Sequence, residues 1–264
     1  MESPSDLVLL DVAEGVARIR FNRPEALNAI NEGLARAFLA ACESVAGRDD
    51  VRVVVLSGEG KGFMAGGDVA RMVQEMPRAD TVIDALLDCI DPALLLLANL
   101  PAPVVASVHG AVAGAGVGIM LAADLVIAAD DTKINLAYTA IGATPDATST
   151  WTLPRIVGLR RSMEIALLSD SYAAMEALAL GLLNKVVPRA ELGSATDVLA
   201  RRLASGPTQA YGRIKKLLRG SLDRTMEEQM SLERTAFRES TFTADFKEGT
   251  LAFVGKRRAR FTGA

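Results

Sequence analysis

Between Asp91 and Asp124 the chain carries no Asp, Glu, Lys or Arg, and any fold it adopts must bury that stretch. Its length would cross a bilayer, but Pro101, Pro103, Gly110, Gly114, Gly116 and Gly118 divide it. It reads instead as a helix end (93–100), a strand (104–108) and a glycine turn opening a second apolar helix, all within a soluble core. No membrane segment is expected.

The rest of the chain fits around that core. Residues 7–12 and 16–21 are β-rich runs about Glu14-Gly15, the pattern of a hairpin. Asn31 is placed to cap a helix whose Leu34, Phe38, Leu39, Cys42 and Val45 recur at helical spacing. A strand over 51–57 leads into a glycine-rich loop (58–67), and Asp68 then opens a short helix through Gln74. The same order recurs: helix from about Thr81 to Leu100, strand 104–108, glycine loop, helix to Ala122, strand 125–129. Strands alternating with helices predict an α/β core with largely parallel pairing. After Trp151 the texture is helical (160–168, 173–180, 191–204, 208–220, 222–238, 243–258). The reading is an α/β core over 1–200 and a helical C-terminal region over 201–264.

The chain's 29 basic and 32 acidic side chains give a net charge of −3. That balance argues against nucleic acid or an anionic membrane as partner and for a small metabolite. Cys42 and Cys89 are the only cysteines, too few for a disulfide framework, so a reducing, cytoplasmic setting is expected. The start, MESPSDLVLL, lacks the basic and apolar regions of a secretory leader. No metal site is expected.

Two glycine-rich loops, GEGKGFMAGGD (58–68) and HGAVAGAGVG (109–118), each join a strand to a helix. Glycine allows close approach of the backbone to a ligand, and free N–H groups at a helix start favour negative charge. Two such loops converging on one oxygen would hold an enolate or oxyanion. A dinucleotide reading of the second loop fails because Ile119 stands where the third glycine is required.

FNRPEALNAI (21–30), FMAGGD (63–68), PVVASVHGAVAGAGVGIMLAAD (103–124), LPRIVGLRRSMEIALLSD (153–170), ALALGLLNKVV (177–187) and LAFVGKRRARF (251–261) together resemble the successive signatures of the crotonase (enoyl-CoA hydratase/isomerase) superfamily. The resemblance runs almost the full length in the right order and is specific as a set. It implies an α/β superhelix of ββα turns with a helical C-terminal trimerisation region, assembled as a homotrimer or a dimer of trimers. It also implies an acyl-CoA thioester substrate whose carbonyl is polarised by two backbone N–H groups, here those of Gly67 and Ala115. By the same resemblance the CoA moiety would run along Glu25, Ala26, Leu27, Ala65 and Asp68, with Phe253 and Lys256 reaching in from a neighbouring C-terminal helix. No cofactor beyond that CoA is implied.

Departures from the family pattern bear on activity. Where hydratases of the family carry two glutamates, this chain has Gly118 and Tyr138; glycine moves no proton, and a tyrosine of pKa ~10 is a poor base at neutral pH. Asp146, in IGATPDATSTW (141–151), stands where hydratases carry glycine. Similar branches use that aspartate as a proton shuttle in isomerisation, or as a nucleophile in 4-chlorobenzoyl-CoA dehalogenases. The local alternative is that Asp146 only caps the helix starting near Thr148. The expectation is an enolate-stabilising isomerase of unsaturated or ring acyl-CoA with Asp146 as proton carrier and Tyr138 in its pocket; a dehalogenase-like hydrolase, an atypical hydratase and a non-catalytic acyl-CoA binder are the alternatives. His109 is read as structural. Met64, Met72, Met76 and Trp151 are read as pocket lining or core, and Arg155, Arg160 and Arg161 as surface or subunit contacts.

Overall fold

A computed structural model describes residues 4–264. A helical turn, α1 (Pro4–Leu7), enters the hairpin β1 (Val8–Ala13) and β2 (Val16–Phe21); Glu14 (φ 52°) and Gly15 (φ 76°) make its left-handed turn. Helix α2 (Glu32–Ala46) is capped by Asn31, whose side chain accepts from Leu34 N–H. Then come β3 (Val53–Gly58), α3 (Val69–Gln74) and α4 (Ala79–Asn99). The uncharged stretch continues through β4 (Val104–Val108), β5 (Ala111–Ala113) and α5 (Ala115–Ala122). Strands β6 (Leu125–Ala129) and β7 (Lys133–Asn135) precede α6 (Ser149–Leu168), which Gly158 (φ 76°, ψ 159°) breaks into two pieces. The remainder is β8 (Tyr172–Ala173), α7 (Ala174–Ala179), β9 (Lys185–Val187), α8 (Leu192–Ala204), α9 (Thr208–Arg219), α10 (Met226–Ser240) and α11 (Ala244–Val254). Residue 200, the expected end of the core, lies inside α8.

The main sheet has the order β1-β2-β3-β4-β6-β9, parallel throughout except for the β1–β2 hairpin. A second sheet, β5-β7-β8, lies beyond it. This is the α/β superhelix that the resemblance implies. Its strands β5, β7, β8 and β9 are two or three residues long, too short for an alternating pattern to announce them.

Both faces of the main sheet are covered, which is why β3 and β4 read as unbroken apolar runs. Val54, Leu56, Val104, Ala106 and Val108 face α2 and α4 in the larger core cluster. Their neighbours Val53, Val55 and Val105 face the other way, against Leu192 and Ala200 of α8. Phe21 forms the aromatic centre, its ring 5.2 Å from Phe38 and 5.7 Å from Phe63. The apolar run thus ends as buried strand and helix, and no helix of the described residues is long and apolar enough to cross a membrane.

One charged cluster ties the C-terminal helices to this core. Asp124, at the foot of β6, accepts from Val104 N–H (2.8 Å), Lys215 Nζ (2.7 Å) and Arg219 (2.9 Å). Lys215 also donates to the Ala102 carbonyl at 2.9 Å, and Arg219 to that of Ala122 at 2.8 Å. Burial pushes the Lys215 ammonium below its usual pKa, and Asp124 opposes the shift. Removing the acid would strand a buried cation between β4, α5 and α9. Asp124→Ala is therefore expected to cost about 3–5 kcal/mol of unfolding free energy in urea titration, whereas Arg161→Ala, at a surface ion pair with Glu164, should cost less than about 1 kcal/mol.

Candidate active site

The two glycine loops are zipped together by backbone. Phe63 N–H donates to the His109 carbonyl (2.8 Å), Met64 N–H to that of Ala111 (3.1 Å), and Ala113 N–H to that of Met64 (2.8 Å). The zip ends where Gly66 (φ 92°) meets Gly114 (φ 52°): a Cβ on Gly114 would sit 3.3 Å from the Gly66 Cα, and a Cβ on Gly66 3.3 Å from the Gly114 Cα. Both glycines use left-handed backbone that other residues seldom adopt. Each is followed at once by a free donor. Gly67 N–H and Ala115 N–H have no hydrogen-bond partner among the described residues, although Ile30 N–H, Asp68 N–H and Gly114 N–H beside them all do. Ala115 is the first residue of α5, so its N–H belongs to the unsatisfied first turn.

Gly67 and Ala115 both line an apolar cavity of about 600 Å³. Met72 of α3, Ile83, Leu86, Leu87 and Ile90 of α4, and the segment 137–146 complete its wall. Asp146 is the only charged residue of that lining. Its Oδ1 accepts from the Tyr138 hydroxyl, and no helix N–H bonds to its side chain. Asp146 is therefore not the cap of α6; Thr148 stands at that position without a side-chain capping bond. Burial raises the Asp146 pKa, the Tyr138 hydrogen bond opposes that, and the charge of Asp91 on α4 adds to the rise. Burial, then the Asp146 charge, drives the Tyr138 phenol far above its ordinary value, so Tyr138 is a neutral donor and not a base.

The segment carrying this pair is strained at both ends. Ala137 (φ 59°) precedes Tyr138, and Ala147 (φ 47°) and Thr148 (φ 66°) follow Asp146. Left-handed backbone at such residues costs about 1–3 kcal/mol each and is held only where the surroundings insist on it.

Other expected site residues fall in different places. Ala65 lines the cavity, and its N–H donates to the Leu27 carbonyl at 3.0 Å. Glu25 and Ala26 form the adjoining 3-10 turn, with Leu27 in left-handed backbone at its end. The Asp68 carboxylate is taken: it caps α3 at Arg71 N–H and bonds Arg23 at 2.7 Å, and these contacts outweigh burial in holding its pKa down. Phe253 and Lys256, at the exposed end of α11, do not reach the cavity of their own chain. Met72 is lining, Met64 is fully buried core and Met76 is exposed. Trp151 is outside the cavity, with the Arg155 guanidinium stacked 3.9 Å from its ring centroid. Arg155 also pairs with Asp223. His109 is buried and bonds the Gly60 carbonyl, and burial lowers its pKa, as suits a structural residue.

One supporting residue lay unremarked within FNRPEALNAI. Asn28, fully buried and left-handed (φ 58°), directs Nδ2 at the carbonyls of Glu59, Gly62 and Phe63 (3.0, 3.0 and 3.1 Å) and accepts from Arg23 N–H. It shapes the first glycine loop from below. An asparagine followed 30 residues on by a glycine loop carries no local signal of such a contact.

Known proteins resemble this chain along almost its whole length. The family model described as Enoyl-CoA hydratase/isomerase matches residues 11–264. A "Probable enoyl-CoA hydratase" of Rhodobacter capsulatus is 38% identical over 96% of each chain. The 1,2-epoxyphenylacetyl-CoA isomerase of Escherichia coli is 38% identical over 98% of this chain and 99% of its own. A crystal structure from Mycobacterium abscessus, provisionally described as an enoyl-CoA hydratase/isomerase, superposes with a TM-score of 0.93 at 33% identity, over 97% of this chain and 100% of its own.

If Asn28 shapes the loop that carries Gly67, Asn28→Asp will remove the side-chain donor shared by the Glu59, Gly62 and Phe63 carbonyls and set a negative charge against them. A loss on the order of 3 kcal/mol is expected in urea or thermal unfolding, with weaker binding of acyl-CoA measured by calorimetry.

Proposed function

The chain belongs to the enoyl-CoA hydratase/isomerase family, and on that premise we propose that it shifts a double bond in an unsaturated acyl-CoA by moving one proton with Asp146. The thioester oxygen lies between the N–H groups of Gly67 and Ala115. As the proton leaves the α or γ carbon, negative charge gathers on that oxygen, and two aimed amides in an apolar cavity stabilise it by up to about 3–4 kcal/mol each. Asp146 then returns the proton to the other carbon. The observation that carries this reading is a single half-buried carboxylate, its pKa raised by burial, in an apolar cavity also lined by the two residues whose backbone N–H groups lack a partner among the described residues.

Isomerisation is favoured over water addition because the cavity offers one proton carrier where two are needed. Gly118 has no side chain, and Tyr138 is held neutral as a hydrogen-bond donor to Asp146. A hydrolytic route with Asp146 as nucleophile needs a base to activate water, and His109 bonds Gly60 outside this cavity. The lining admits an uncharged hydrocarbon acyl group: apart from Asp146, its side chains are apolar or, at Thr144 and Tyr138, neutral. The CoA portion would follow Glu25, Ala26, Leu27 and Ala65 towards the rim. A homotrimer or dimer of trimers would bring a neighbour's Phe253 and Lys256 to that rim and cover Phe237, Phe242, Phe253 and Val254, which stand 68–86% exposed.

The test is deuterium uptake from D2O and double-bond migration in 3-hexenoyl-CoA, followed by mass spectrometry. Asp146→Asn should lower both by about 10² to 10⁴, while thermal stability at pH 7 rises. The sign follows from the raised pKa: the fold disfavours the charged carboxylate, so stability is lost as pH climbs from the unfolded pKa through the folded one, and the amide escapes that loss. As a base Asp146 works deprotonated, so wild-type kcat/KM should fall at low pH with a midpoint above the usual carboxylate range. Tyr138→Phe removes the hydrogen bond that lowers this pKa and should move the midpoint higher still. Undiminished turnover by Asp146→Asn would end the proposal.

A further inference from the structure

The turn that follows Asp146 packs into a space left bare on a different element. A Cβ built on Gly118, in the middle of α5, would overlap the carbonyl oxygen of Ala147 and come within 2.8 Å of Ser149 Oγ and 2.9 Å of the Ala147 Cβ. The volume that a side chain at residue 118 would claim is filled by the turn that follows Asp146. Ala147 and Ser149 are 2% and 1% exposed, so this turn is packed in place. Its backbone is closed by Ser149 N–H donating to the Asp146 carbonyl (2.9 Å) and by Trp151 and Thr152 N–H donating to that of Thr148 (2.9 Å each). Ser149 Oγ has no hydrogen-bond partner among the described residues and faces the same space.

The turn's two left-handed residues, Ala147 and Thr148, are types that avoid such backbone, Thr148 because it is β-branched. Strain of this kind persists where packing leaves the chain no other course. Here the packing is against α5, and it sets the direction in which the residue before the turn enters the cavity.

We infer that Gly118 is the positioning residue for Asp146: the bare α5 backbone at 118 lets the 147–149 turn seat itself, and a side chain at 118 and a cavity-facing acid at 146 exclude one another. This rests on the reading of Asp146 as proton carrier. It means that the cavity takes its acid either from α5 or from the turn before α6, so placing a glutamate at 118 displaces the existing acid instead of adding a second. The two-acid requirement of water addition is closed to this chain by packing as well as by residue type.

The experiment compares Gly118→Ala, Gly118→Glu and Ala147→Val with wild type and Asp146→Asn. It reads deuterium uptake into 3-hexenoyl-CoA across pH and calorimetric binding of hexanoyl-CoA. Gly118→Ala should lower kcat at least 30-fold with hexanoyl-CoA affinity within about 3-fold of wild type. Its acid limb should move down towards the ordinary carboxylate range as the displaced Asp146 meets water. Gly118→Glu should hydrate crotonyl-CoA no faster than wild type. Ala147→Val forces the same contact from the turn side and should reproduce the Gly118→Ala profile, which keeps the test open if one variant does not fold. Relaxing the turn in the double variant Gly118→Ala/Ala147→Gly should recover part of the lost kcat. Gly118→Ala or Ala147→Val with wild-type kcat and an unmoved pH profile overturns the inference, provided Asp146→Asn is inactive. A fully active Asp146→Asn would instead remove the functional reading beneath it.

Discussion

The contact between Gly66 and Gly114 is the constraint on which the rest of the site depends. Two strand-to-helix loops, from β3 and from β4, run side by side through three backbone hydrogen bonds and end with two left-handed glycines in touch. A Cβ at either place would press on the other loop, which would have to give by a few tenths of an ångström, and would add the strain of a positive φ right beside Gly67 and Ala115. Everything behind the contact serves to hold it: Asn28 under the first loop, the buried strands β3 and β4, and the Asp124 cluster that binds α9 to β4, β6 and the end of α5.

The opposite wall is built on another principle. The donors are placed by a regular ladder, whereas Tyr138 and Asp146 sit on an irregular segment with strained backbone at each end. Such a segment keeps its shape through packing against α5, and its reward is an acid held in an apolar place beside a neutral phenol. A polar pair of this kind is unstable in isolation; with each other as partners, the two side chains satisfy one hydrogen bond and leave the second carboxylate oxygen available. The cavity is in consequence largely apolar, singly acidic and bordered by residues with free backbone donors, a combination suited to holding charge on oxygen and moving one proton.

Much of this was legible before the fold. The caps Asn31 and Asp68, the hairpin at Glu14-Gly15, and strands β4 and β6 stand where local pattern put them, because caps, tight turns and strand runs bounded by Pro or Gly are settled within a few residues. The short strands β5, β7 and β8 were invisible, since two or three residues carry no period and exist only where a neighbouring strand already offers its hydrogen bonds. Trp151, read as lining or core, stands 42% exposed outside the cavity, because which face of α6 turns inward is decided by packing between segments and not by the residues around it. Asn28 escaped because its partners lie more than 30 residues away.

Local pattern set the alternation of strands and helices, the burial of the uncharged stretch, the two glycine loops and a chemical inventory with Gly118, Tyr138 and Asp146 as its members. These are properties of composition and near neighbours, written in periods of two and 3.6 residues and in the positions of Gly and Pro. Packing between distant segments decided that Asp146 faces Tyr138 rather than capping α6, and that Gly67 and Ala115, each with an unpartnered N–H among the described residues, line one cavity. It alone decided that the room at Gly118 is already filled. Those outcomes turn on distances between segments far apart in the chain, where a shift of one ångström separates a hydrogen bond from a collision, and no local pattern carries that information.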